Sequence, residues 1–261
     1  MHLRGPDRMN LKHSQWALPT TDSTIDALGA QDRELLSRRW LDRAHNELRT
    51  STTFAELYRG LVALEASSEL LVVAAAAVGD ELRHAEICHA VAERYAGHVL
   101  RKSPALVTAA PRFTGCSDRD ARVLHVVLHA CLNEGVAAAY LGACLDDAAS
   151  NLARIAVQSL LKDEIHHARL GWAFLARANA NDRALVAAAL PELMHEVARL
   201  WLGAVDFPEH LPQGHGCLGF AALRRVFTEA VADLILPGFD HAGIPTGQAR
   251  TALAKQPWMR G

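Results

Sequence analysis

Neither sign of charge dominates this chain. Its 27 Lys and Arg residues nearly balance 29 Asp and Glu residues, for a net charge of −2. That leaves no footprint for nucleic acid or for an anionic membrane. Cysteine is scarce and odd in number: five residues (Cys88, Cys116, Cys131, Cys144, Cys217) with no paired spacing. Such usage argues against a disulfide framework and fits a reducing cytosol, so a cytoplasmic location is expected. Long apolar runs are also lacking. The run from Leu70 to Val78 is too short to span a bilayer and meets Asp80 and Glu81 directly afterwards. Residues Met1 to Ala30 lack the apolar core of a signal peptide. With no low-complexity stretch and 50% hydrophobic residues, 261 residues can bury one large core.

What is present is helical periodicity. Long helices are predicted at about 31–64, 67–96, 118–147 and 150–178, with two more at about 183–204 and 219–235. The expected fold is all-α: an irregular lead-in at 1–30, then a single domain over 31–261 whose core bundle covers about 31–178. Pro237 to Gly261 reads as mostly irregular, and Pro191 marks a kink or the true start of its helix. The connector from Gly97 to Asp118, with Pro104, Pro111 and Gly115, is long enough to cross from one end of a bundle to the other. The additions after the core can cap the bundle, cover a substrate entrance or form a homodimer surface, and the sequence does not choose among these.

Within that pattern, one arrangement occurs twice. Glu47 precedes Glu81-Leu82-Arg83-His84, and Glu134 precedes Glu164-Ile165-His166-His167. Residues three apart share a helix face, so Glu81 with His84, and Glu164 with His167, can each reach one metal. Glu47 and Glu134 can serve as bridges or caps. Four carboxylates neutralise two divalent ions, and mixed oxygen and imidazole donors suit iron, manganese or a mixed pair. Each proposed ligand interrupts an apolar stripe: Leu36, Trp40, Ala44, Glu47, Ser51, Phe54, Tyr58 and Leu61 form the first. Buried carboxylates at one level need cations. Glu56 is rejected because it lies nine residues after Glu47, among Thr52, Thr53, Arg59 and Gly60, which read as solvated. Hairpin midpoints near residues 64 and 149 fall on the polar stretches Glu65–Ser68 and Asp146–Asn151, which sets the two halves level.

These motifs resemble the ferritin-like di-iron carboxylate superfamily on its oxygenase side. The resemblance covers roughly residues 31–178, and Asp80-Glu81-Leu82-Arg83-His84 reads D-E-x-R-H. It implies two hairpins joined by one long crossover. It also implies Glu47, Glu81, His84, Glu134, Glu164 and His167 as ligands, with Asp80 accepting from His167 and Asp163 from His84. Arg83 is implied to pair with an aspartate in the same network. His166 stands where the second motif's Arg would be, and lies about 200° round the helix from Glu164, so it is not a ligand. Cys88 occupies the position of the radical tyrosine of ribonucleotide reductase small subunits, and Ala138 that of a threonine common in multicomponent hydroxylases.

The expected activity is a non-haem di-iron oxidoreductase using dioxygen to oxidise a small organic substrate by hydroxylation, N-oxygenation or desaturation. No flavin, nicotinamide or iron–sulfur motif is visible, so an external electron donor is expected. The alternatives are a ferroxidase or peroxide-scavenging di-metal protein, and a non-catalytic metal-stabilised binding protein. Several residues are read as bystanders. Cys88 and Cys131 are expected to be small buried side chains, and Tyr58 and Tyr95 core. His125 and His129 are expected at the surface or an interface, pointing away from Glu134. His210, His215 and Cys217 are expected in a lid or plain loop.

Overall fold

A computed structural model describes residues 18–102, 104, 113–203 and 207–256. Among these residues the protein is an all-α helical bundle without strands. The core is formed by α2 (Ala30–Ala63), α3 (Ser68–Ala96), a third long helix and α6 (Asn151–Ala176). The third helix has three parts: α4 (Asp118–Val126), a π-helical segment (Val127–Asn133) and α5 (Glu134–Asp147). By length and composition Asp118–Asp147 could cross a membrane, but 56% of its most apolar stretch is buried inside the fold.

Local chemistry sets the ends of these helices. Ser117, Ser150 and Asn179 cap α4, α6 and α7 (Ala180–Leu202) by accepting from Asp120, Ala153 and Asp182 backbone N–H groups. Each cap contributes about 1 kcal/mol. Gly97 ends α3 in the left-handed region at φ 75°, where a side chain would be strained. Turns follow Ala63 and Asp147, at the two polar stretches expected to hold them.

The polarity of the bundle follows from contacts at its ends. Arg94 near the end of α3 pairs with Asp26, whose helix α1 (Ser23–Asp26) is tied through Asp22 to Ser150 and Leu152 at the start of α6. At the opposite end, the Arg122 side chain of α4 packs over Gly60, where an added Cβ would stand 3.7 Å from Arg122 Cγ. The connector from 97 to 117 therefore joins opposite ends of the bundle; its residues 103 and 105–112 lie outside the described residues.

The lead-in and tail differ from expectation. Residues 1–17 lie outside the description, but α1 is helical because Asp22 caps it, accepting from the Thr24 backbone. The tail holds α9 (Leu236–His241) and α10 (Gly247–Leu253), which bury Leu236, Phe239, Ala249 and Leu253. Helix α8 (Phe220–Glu229) runs through a second π segment (Ala230–Ile235) into α9. Tail residues share one apolar cluster with the third long helix and α7, and that tertiary burial outweighs weak local signals. Pro191 sits inside α7, which starts at Ala180 with Asn179 as its cap.

Candidate metal centre

The stripes meet at mid-bundle. Along α3, Ala77, Glu81, His84 and Cys88 are all fully buried. Glu134, Glu164 and His167 arrive from the facing helices, each no more than 3% exposed. Phe54 of α2 packs on the His167 ring at 5.0 Å between centroids. Two donor sets result. Glu47, Glu81, His84 and Glu164 form one, and Glu81, Glu134, Glu164 and His167 the other, each with donor atoms within 4.8 Å of one another. Glu81 and Glu164 belong to both sets, so they lie between the two positions, while Glu47 and Glu134 sit on the outside. Glu47 and Glu134 each belong to one set alone.

Ring orientation follows the same logic. Nδ1 of His167 lies 3.0 Å from Glu81 Oε1 and 3.3 Å from Glu164 Oε2. Nδ1 of His84 lies 3.3 Å from Glu164 Oε1. The outer nitrogens turn the other way: His84 Nε2 is 3.2 Å from Asp163, and His167 Nε2 is 3.3 Å from Asp80. Arg83 bridges these aspartates, at 2.8 Å from Asp80 Oδ1 and 2.6 Å from Asp163 Oδ2. The clasp joins α3 to α6 and fixes both rings with Nδ1 facing inward.

The electrostatics ask for a cation. Burial, then the charges of Glu81 and Glu164, push the Glu47 carboxyl well above its ordinary range. Burial and Glu164 do the same to Glu134. Glu164 goes the other way: burial opposes its ionisation, but Glu134, His167 and His84 hold it well below the usual range. His84 and His167 are raised against the pull of burial, chiefly by Asp163 and Asp80 respectively. His167 in turn holds Asp80 down to about 2. Both Glu81 oxygens and His84 Nδ1 are sealed from water and, among the described residues, have only the close His–Glu contacts above and no well-aligned hydrogen bond. Such groups are costly unless something fills their valence, and two divalent cations between these donors would do so.

Comparison of the chain with family models, curated proteins and solved structures gives no match. Its meaning therefore rests on the geometry.

The donor cluster opens onto a cavity of about 580 Å³, with Glu47, Glu134 and Glu164 on its wall. The C-terminal additions close it: Leu200 and Trp201 of α7, Leu223 of α8, and Phe207, Cys217 and Leu218 of the intervening loop all line it. They also position the site. Trp201 Nε1 donates to Asn133 Oδ1 at 3.0 Å, and Asn133 Nδ2 donates to Glu134 Oε1 at 3.1 Å. The loop itself is anchored, since His215 is buried with its Nδ1 2.9 Å from the Tyr95 hydroxyl. Sequence reading missed Asn133 and Trp201. The signal within reach was Asn133 beside Glu134, in a stretch otherwise apolar.

Three further readings need correction. His125 and His129 are not surface residues: His125 is buried, and His129 lines the cavity beside Glu134. Their rings meet edge-on at 4.9 Å, and burial pulls their pKa values down to about 4 and about 3. An α-helical wheel puts His129 about 140° from Glu134, but the π segment between them bonds i→i+5 and turns His129 toward the cavity. Tyr58 is 38% exposed, and Leu57 takes the core place assigned to it. Thr53, read as solvated, is buried and lines the cavity. The rejection of two rivals matches the structure: Glu56 pairs with Arg59, and His166 is exposed. Cys88 and Cys131 are buried.

Proposed function

We propose that this protein is a two-metal oxidoreductase that uses dioxygen to oxidise a small organic molecule held in the cavity beside the centre. The observation that carries the reading is the sharing of Glu81 and Glu164 between two donor sets, each completed by one Glu and one His. Glu47 and His84 would complete one metal, Glu134 and His167 the other, as in the carboxylate-bridged bundles that the motifs resemble. When bound, a pair of irons, or manganese at one or both positions, supplies the oxygen activation needed for hydroxylation, N-oxygenation or desaturation.

The chain's own part is positional. Asp80, Asp163 and Arg83 hold both imidazoles in one tautomer, with Nε2 donating outward and Nδ1 free to ligate. Asn133, held by Trp201, fixes the Glu134 carboxylate at the cavity wall. The apolar wall of Leu141, Leu218 and Leu223 excludes water from the reacting face. Reducing equivalents come from a separate donor protein or a chemical reductant, and the five free cysteines suit a reducing cytosol.

The cavity favours this reading over a ferroxidase or peroxide scavenger, and over a metal-stabilised binding protein, since the first two need only small-molecule access. Oxygen uptake by anaerobically loaded ferrous protein, mixed with air and a panel of candidate substrates, separates them. Uptake accelerated by an organic substrate, with one oxidised product per cycle, supports the proposal. Turnover with hydrogen peroxide alone, indifferent to any organic molecule, points to scavenging.

A further inference from the structure

The cavity wall carries a ladder along α2. Arg39, Arg43, Glu47 and Thr50 follow one another at steps of four, four and three, and all line the cavity. Arg43 therefore sits one turn, about 6 Å, from Glu47. Its surroundings are unusual for an arginine withdrawn from solvent. The guanidinium lies over the Trp40 ring at 4.4 Å and the Tyr140 ring at 5.3 Å. Nη2 donates to Gly216 O at 3.0 Å and to the Tyr140 hydroxyl at 3.1 Å. Nη1 has almost no accessible surface and, among the described residues, no hydrogen-bond partner, although Arg43 itself lines the cavity. Among the described residues, no carboxylate stands within ion-pair distance of it, whereas Arg39 pairs with Asp42.

The charge balance of the cavity points the same way. Two divalent cations cancel the four glutamates of the centre, and Asp42 cancels Arg39. Arg43 remains, with Arg49, another lining residue, whose guanidinium bonds Asn46 among the described residues. A cation with a vacant donor in a low-dielectric wall is a site for an anion. With Nη2 already engaged, one free Nη1 suits a monoanion better than a phosphate, which takes several donors. Ala137, Leu141, Leu218 and Leu223 offer an apolar bed for the rest of the molecule.

We infer that the cavity takes an organic acid whose carboxylate pairs with Arg43 while its hydrocarbon body reaches toward Glu47 and Glu134. This rests on the two-metal reading above and names its substrate class. The carboxylate is the anchor, about one helical turn from the centre, so the oxidised position is the part of the molecule remote from the acid group.

The test is binding of benzoate and of its uncharged isostere benzamide, by calorimetry, to the full chain in metal-free and anaerobically ferrous-loaded forms. Saturable benzoate binding in both forms, at least tenfold tighter than benzamide, is expected. Arg43→Gln should weaken benzoate at least tenfold and leave benzamide unchanged, and Arg43→Lys should restore part of the loss. Exposed Arg59→Gln should change neither. Because Arg43 also holds Gly216, the wild-type pair of ligands and Arg43→Lys decide the matter even where Arg43→Gln misfolds. Benzamide binding as tightly as benzoate, no saturable benzoate binding, or benzoate insensitive to Arg43 overturns the inference. Metal content of the same samples is read separately. Two irons per chain with no benzoate preference sinks the substrate class alone, and benzoate binding without two irons sinks the two-metal reading alone.

Discussion

Gly171 is where packing and propensity make opposite predictions. It lies one turn beyond His167 on α6, against the π segment. A Cβ there would stand 2.5 Å from Cys131 Sγ, 2.6 Å from the Ala130 carbonyl carbon and 2.7 Å from the Cys131 nitrogen. Two of those three atoms are backbone, so no rotamer change relieves the clash. Restoring ordinary contact at about 3.5 Å requires the helices to separate by roughly 1 Å. Helix propensity alone says that Gly171→Ala gains about 1 kcal/mol. Overpacking costs about 1–3 kcal/mol, and a clash with backbone puts it at the upper end or above, so after the propensity gain a net loss of about 2 kcal/mol is expected. For a chain of this size that lowers Tm by roughly 2–10 °C. The shift also moves His167 and Glu134 apart by more than the about 0.2 Å that a metal site tolerates. Thermal melts of metal-free protein, with iron counted after anaerobic loading, test both effects. A Gly171→Ala variant that melts at or above the wild type and binds the full complement of iron refutes the close-approach argument.

Other outcomes follow from the same geometry. Glu134→Ala and His167→Ala should each lower loading from about two irons per chain to about one; undiminished loading in both would remove them from the ligand set. Asp80→Asn and Asp163→Asn should weaken metal binding by roughly 10–100-fold without unfolding the chain, measured by competition with a chelator. Burial raises the pKa values of Glu47 and Glu134, so protons compete with metal for them and affinity should fall as pH drops; a pH-independent affinity contradicts those shifts. His125 and His129 have folded pKa values below the unfolded 6.5, so the unfolded chain binds more protons below that point. Their contribution is present above about pH 6.5 and lost as pH falls toward 4, on the order of a few kcal/mol. A His125→Gln, His129→Gln double variant should show a flatter acid limb in its denaturation midpoint.

The four core helices and both hairpin turns were legible because their apolar stripes keep helical spacing over most of their turns. Helix α3 is the clearest case, with Leu70, Ala74, Ala77, Glu81, His84, Cys88, Val91 and Tyr95 all buried. His129 was misplaced because a π segment breaks that spacing, and nothing in Val127–Asn133 announces i→i+5 bonding. The tail helices escaped notice because α9 and α10 are six and seven residues long, too short for periodicity to register, and are held by contacts distant in sequence. The metal-facing residues repeat as a motif and could be read. The cavity could not, because its walls come from α2, the third long helix, α7, α8 and the 207–219 loop, and only the fold brings these together.

The central claim is that six residues hold two cations with Glu81 and Glu164 between them. Anomalous diffraction from a crystal soaked anaerobically in ferrous iron tests it most directly. Two peaks are expected at mid-bundle, one touching Glu47 and His84, the other Glu134 and His167, and both touching Glu81 and Glu164. A single peak, peaks elsewhere, or a cluster that stays metal-free at saturating iron would contradict it.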